Sequence, residues 1–301
     1  MVETKTLSVE ETNRALKAKR IRAKIGKIGA LMFVYFILLL MYAPLVYITV
    51  FSFTDAKTTG SWGANGFTFK LYESLFNYAG NLKSQEIWNA ARNTILIAVV
   101  SASVSVVLGT LGAIGIYYTR RKWWRNTLEF ANQIPIVNAE IVTALSLCIL
   151  FVSVLRMETS FFSLVVGHVV LSLPYVVLSV LPKLEQMDPS IYEAAMDLGA
   201  TQTRALFKVV IPDIMPGILS GFMLSITLSL DDYVITTFTK PGDFETISTY
   251  VDSAMRKGGL PTQLRAFTAI LFGVILLAMI GMYVKSAISV RKQNRKLKGV
   301  D

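Results

Sequence analysis

Residues 192–212 read YEAAMDLGATQTRALFKVVIP, a polar island between two long apolar runs. Two helix starts lie close together here. Asp188-Pro189 has the form of an N-cap followed by proline at the first helical position, and Thr201 that of a second N-cap. A side-chain oxygen at such a position accepts from amides that no helical carbonyl reaches. Gly199 stands between the two starts, where a helix must stop and turn. The spacing predicts a compact helix–turn–helix held against whatever the flanking runs form. A loop needed only as a connector would not require that order.

The flanking runs are long enough to cross a bilayer, which takes about 20 mostly apolar residues per helix. Segments 28–53, 93–119 and 266–284 carry no charge, 130–155 carries only Glu140, and 159–182 carries only His168. Segment 214–239 carries only the pair Asp231-Asp232. The chain of 301 residues is 53% hydrophobic, with a mean hydropathy of +0.52. That balance, gathered into blocks, excludes an ordinary soluble domain. The expected fold is an all-α membrane protein with six transmembrane helices.

The formal net charge of +10 raises the question of nucleic acid, and its placement answers it. Basic clusters at 17–27, 120–125 and 291–298 each abut an apolar run, as cytoplasmic segments do under the positive-inside rule. With both termini cytoplasmic, 21 of the 30 Lys and Arg fall inside and 9 outside. Anionic lipid headgroups, not nucleic acid, are the expected partner of these clusters.

The chain then divides into a basic cytoplasmic segment 1–27, a transmembrane domain 28–284 and a basic cytoplasmic tail 285–301. Residues 12–24 are either an amphipathic surface helix or a disordered tail. The first apolar run is too long for a signal-peptide core and lacks a small-residue cleavage site, so it reads as an uncleaved anchor. Pro44 predicts a kink in it. Segment 54–92 is the longest external stretch, with a short interfacial helix expected at 71–78. Gly109, Gly112 and Gly115 read as packing positions along one side of the second span. Pro212 and Pro216 predict a break between the polar island and the fifth span.

A charge inside a span costs about 3 kcal/mol unless it faces the bundle interior, water or a partner. Glu140, Asp231 and Asp232 bear that cost, and no Lys or Arg lies deep in a span to neutralise them. Asp231 falls roughly 25 Å along the fifth span at about 1.5 Å per residue, toward the external side. With Tyr233 and Tyr175 the acids make a path suited to an organic cation, by charge pairing and cation–π contact. The other reading of the aspartates is structural: they bond neighbouring helices or cap a broken helix. His168 reads as a packing hydrogen-bond former before a metal ligand. One cysteine, Cys148, permits no disulfide within the chain and no cysteine-based metal cluster. No His and carboxylate cluster has metal spacing, no catalytic constellation is present, and no glycine-lysine loop that cradles nucleotide phosphates follows any span.

Glu193-Ala194-Ala195, Asp197, Gly199, Val209, Ile211 and Pro212 together resemble the EAA motif of type I ABC importer permeases. The stretches EAAMDLGA, IPDIMPGI and LSLDDYVITTF are most similar to the spermidine/putrescine branch, its second permease subunit. Ile211 and Val209 stand where that pattern has Leu and Ile. The resemblance covers a core at 87–284 and implies a coupling loop at 183–213 that docks a cytoplasmic ATPase through Glu193, Ala194, Ala195, Asp197, Gly199 and Pro212. It implies a second homologous permease subunit, two copies of the ATPase carrying ATP and Mg, an extracytoplasmic substrate-binding protein and a location in the bacterial inner membrane. This chain is then a transport subunit that binds no cofactor itself. The alternatives are a permease of the same class for an amino acid, metal ion or inorganic anion, and a channel or secondary transporter independent of ATP.

Overall fold

The computed structural model describes residues 9–56, 60–63, 66–77 and 80–298, and every regular element among them is helical. Helix α1 spans Val9–Val50, α2 Lys70–Phe76, α3 Leu82–Tyr118 and α4 Lys122–Val137. Helix α5 covers Glu140–Ile149 and runs on as π-turns over Leu150–Val154. Helix α6 covers Phe161–Gln186, α7 Pro189–Asp197 and α8 Gln202–Ala205. After a π segment at Leu206–Val210 come α9 (Ile211–Asp231), α10 (Val234–Thr239), α11 (Ile247–Arg256) and α12 (Gln263–Lys298).

Among the described residues five stretches are long and apolar enough to cross a membrane: Gly26–Phe53, Leu82–Tyr118, Phe161–Gln186, Gln202–Asp231 and Gln263–Lys285. The third predicted crossing, at 130–155, is not one helix. It is bent by 101° between α4 and α5. Pro135 lies in the last turn of α4 and lacks the amide that would bond the carbonyl four residues back. Asn138 and Ala139 then run extended before α5 begins. The expected break at Pro212 and Pro216 is absent. The π segment carries the helix through, with the Ile211 amide bonding the Leu206 carbonyl five residues back. A π-turn widens the ladder where a proline ring and its missing donor need room. The fifth crossing breaks instead at Asp232 and Tyr233.

The chain forms two compact units, Met1–Asn81 with Pro261–Asp301, and Leu82–Leu260. In the first, α1 continues without interruption through residues 12–24 and past Pro44. Phe53 gathers Phe67, Phe69 and Tyr72 around its ring at centroid distances of 5.0, 5.6 and 5.3 Å. The interfacial helix expected at 71–78 is α2, and Tyr78 lies outside the described residues. Residues 1–8 and 299–301 lie outside them too.

In the second unit α3, α6 and α9 pack on one another. Val176 of α6 is fully buried between two glycines. A Cβ on Gly109 of α3 would stand 2.7 Å from the Val176 side chain, and one on Gly221 of α9 would stand 3.2 Å from it. Small residues let helices approach this closely, which is how packing is gained where lipid removes the hydrophobic drive between helices. The glycine stripe read along α3 is only partly used. A Cβ on Gly112 would reach Val177 at 3.9 Å, and one on Gly115 would meet nothing within 4 Å. A step of three residues falls about 60° short of a full turn, so the stripe drifts off the packed face. The apolar cluster continues through Ala113, Ile116, Val180, Leu184, Met187, Val210 and Ile214 to the base of α7.

Candidate coupling and translocation sites

The loop between α6 and α9 has the local order its sequence predicts. Asp188 accepts from the Ser190 amide at 2.9 Å, with Pro189 opening α7. That amide holds the Asp188 carboxyl below its ordinary range. Thr201 accepts from the Arg204 amide at 3.4 Å to start α8. Gly199 has φ +81°, and its amide bonds the Met196 carbonyl while that of Ala200 bonds Ala195. These two bonds form a Schellman cap, which satisfies carbonyls the helix end leaves open. Inward, Tyr192 packs on Tyr118 at 5.8 Å. Outward, Glu193, Ala194, Asp197, Leu198 and Gly199 are exposed, Leu198 at 90%, while Ala195 is half-buried. Glu193 borders a cleft of about 670 Å³ walled by Tyr117, Tyr118 and Tyr192. Pro212 borders a smaller one of about 400 Å³ with Met187 and Ile191.

A clamp that the sequence reading missed sits nearby. Arg125 of α4 bonds Glu129 at 2.8 Å and also pairs with Glu185 near the end of α6. The i, i+4 spacing of Arg125 and Glu129 was visible in the sequence, whereas the Glu185 partner came from another helix.

The acids sit at the two helix breaks. Glu140 is the first residue of α5 and is exposed. It was expected a third of the way along a continuous span, and the bend moves it to a helix N-terminus, where the macrodipole favours a carboxylate. Asp231 is the last residue of α9 and is exposed. Neither makes a hydrogen bond or ion pair among the described residues. The half-helices that follow the two breaks, α5 and α10, pack against each other. Breaks in transmembrane helices are where transporters commonly hold charged cargo.

Asp232 is different, being 7% exposed. Its Oδ1 accepts from the Ile235 amide at 3.1 Å, and its Oδ2 accepts from the Thr236 amide at 2.8 Å and the Thr236 hydroxyl at 2.7 Å. It therefore caps the first turn of α10. His168 of α6 lies behind it, with Nε2 3.0 Å from Thr236 Oγ1 and 3.7 Å from Asp232 Oδ2. Thr236 gives its one proton to Asp232, which assigns His168 Nε2 as the donor to Thr236. Nδ1 then accepts from Ser229 Oγ at 2.8 Å, and Ser101 of α3 donates to Ser229 at 3.3 Å. One turn along α6, Ser172 and Ser105 are 2.7 Å apart. His168 is a hydrogen-bond former, as its sequence setting suggested, but its partners came from two other helices, α9 and α10.

The tyrosines separate. Tyr233 is half-buried, and its hydroxyl joins the Asp252–Arg256 pair of α11. Tyr175 is half-buried seven residues beyond His168 on α6, about 10 Å further toward the α7 end by helical rise. Among the described residues no group of three or more His, Cys, Asp or Glu is gathered to hold a metal ion.

A family profile described as the binding-protein-dependent transport system inner membrane component matches residues 105–293, which include the capped loop and both helix breaks. The chain belongs to this family. It is a membrane subunit of a transport system of the inner membrane. Among curated relatives it is 32% identical over 249 residues to the putrescine transport system permease protein PotI of Escherichia coli (strain K12), covering 81% of this chain and 86% of that one. It is 31% identical over 262 residues to the spermidine/putrescine transport system permease protein PotC of Haemophilus influenzae, covering 87% and 96%. Among solved structures the permease resembles a bacterial ABC transporter that imports alginate, with TM-score 0.67 and 16% identity over 89% of this chain and 97% of that one. It also resembles the inward-facing MetNI methionine transporter, with TM-score 0.53 and 17% identity over 65% and 92%. At such identities the likeness concerns the fold.

Proposed function

We propose that this permease forms half of the translocation pathway of an ATP-driven importer for putrescine and spermidine. The observation that carries the substrate class is the pair of exposed, unpaired carboxylates, Glu140 and Asp231, at the breaks that precede two helices in contact, α5 and α10. An acid there attracts a cation that is stripped of water, and two acids suit a cargo charged at both ends. The polyamine systems named in its relatives support the same class.

The other half of the pathway is a second homologous permease subunit, with both termini of this chain in the cytoplasm. The exposed face of Glu193, Ala194, Asp197 and Leu198 docks one of two ATPase copies, which carry ATP and Mg. Ala195 and Gly199 set the shape of that face, and Pro212 its link to α9. An extracytoplasmic binding protein delivers the substrate. This chain holds no nucleotide-binding motif and acts as a transport subunit alone. The rigid cap at Gly199 supports a coupling role, since force passes only through an element that does not fray.

The test is uptake of labelled putrescine, spermidine and a neutral amino acid by vesicles containing the assembled importer. Uptake of the two polyamines, lost on ATP depletion and lowered at least about tenfold by Asp231→Asn, is the expected result. Amino-acid uptake in place of polyamine uptake refutes the substrate class. Uptake that survives ATP depletion refutes the coupling.

A further inference from the structure

Adjacent acids in one span look equivalent in sequence, and here they do opposite things. Asp232 has φ −66° and ψ 128°, an extended residue between two helices. Asp231 ends α9 and is exposed, whereas Asp232, the next residue, is 7% exposed. Asp232 is the anchored one. Three donors from α10 fill its carboxylate, and the Ser248 hydroxyl of α11 donates to its carbonyl at 2.8 Å. His168, with a side chain fully buried, holds Thr236 from behind.

We propose that Asp232, Thr236 and His168 form a latch that fixes the break between α9 and α10, and that its task in transport is to present the Asp231 carboxylate to the pathway. All three are positioning residues. None touches the substrate. The latch joins α10 to α6, and through Ser229 and Ser101 it joins α9 to α3. A buried carboxylate surrounded by its own donors does not attract a cation, because its lone pairs are already taken. Asp231 and Glu140 retain theirs. The division rests on the reading of Asp231 as a pathway acid, but the latch can be tested without it.

Cys148 is the one cysteine of the chain, so a Cys148→Ala background carrying Asp231→Cys reports the exposure of position 231 directly. The probe is a cationic methanethiosulfonate, applied to the assembled importer in vesicles and read by mass on this chain. Thr236→Val keeps the shape of the side chain and removes the hydroxyl. It is expected to change the modification rate about tenfold, the equivalent of one buried hydrogen bond. Thr236→Ser, which keeps the hydroxyl, is expected to restore the rate to within about twofold. Should Thr236→Val fail to assemble, Ser248→Ala loosens the same residue from α11 and is expected to shift the rate in the same direction. An unchanged rate in an assembled Thr236→Val importer overturns the latch, and so does an unchanged rate in Ser248→Ala where Thr236→Val does not assemble. A merely stabilising role would lower protein yield and leave the rate alone. Failure of the pathway reading looks different: putrescine would not slow modification of Asp231→Cys, while the Thr236→Val shift would remain.

Discussion

Gly109→Ala adds one methyl group to the α3–α6 seam, and the structure sets its cost. The new Cβ would stand 2.7 Å from both Cβ and Cγ1 of Val176. Carbon atoms rest at about 3.5–4.0 Å, so the helices must part by roughly 1 Å. Val176 has no empty side to move into, because its far face meets Gly221 of α9. One turn away the Ser105–Ser172 hydrogen bond is 2.7 Å long, and the same parting takes it beyond bonding distance. Overpacking costs about 1–3 kcal/mol and the lost bond about 1 kcal/mol more. Alanine returns up to about 1 kcal/mol in helix propensity, which leaves a net loss of about 1–3 kcal/mol. Gly112→Ala and Gly115→Ala make the same chemical change where the nearest atom is 3.9 Å away or absent within 4 Å, and they should be neutral or slightly stabilising. The assay is thermal unfolding of the purified protein in detergent, scored as a difference between the three variants. A chain of this size shifts by about 2–4 °C per kcal/mol, so Gly109→Ala should melt several degrees below the other two. Equal melting temperatures for all three would refute the packing described around Val176.

Two further outcomes concern the capped loop. Gly199→Val forces a β-branched residue to φ +81°, at a cost of about 1–2 kcal/mol. It should fray the end of α7, so that ATP hydrolysis by the assembled importer persists while putrescine uptake falls; intact uptake would remove the rigid-cap argument. For Asp188 the folded carboxyl lies below its ordinary range because the Ser190 amide bonds its charged form. Its support of α7 is therefore complete above the unfolded carboxyl value and is lost as pH falls through the folded one. Amide exchange at Ser190 should accelerate, relative to its intrinsic rate, across that acidic window and stay flat above it.

The elements read correctly from sequence are those whose determinants lie within a few residues. Asp188 and Thr201 cap amides two and three positions on, and the turn at Gly199 closes carbonyls three back from Gly199 and five back from Ala200. No partner from elsewhere in the chain was needed, so the caps of the loop between α6 and α9 were legible. The acids were legible as anomalies because a charge in an apolar run is costly wherever it points. Their roles were not. Asp231-Asp232 is one string with two environments, and only His168 and Thr236 distinguish them. The break at Pro212 was misread because a proline restricts the helix without deciding how its neighbours respond; a π segment absorbed it.

What the sequence determined by itself is the placement of the apolar runs, the caps of the loop between α6 and α9 and the presence of unpaid charge at Glu140, Asp231 and Asp232. These follow from run length, cap chemistry and desolvation, each a property of a segment alone. What only the tertiary structure decided is where the crossings break and which way their acids face. A helix break is stable only when other helices satisfy the groups it exposes. For α9 and α10 that satisfaction comes through Asp232, Thr236 and His168, brought together by the close approach of α3, α6 and α9 around Val176.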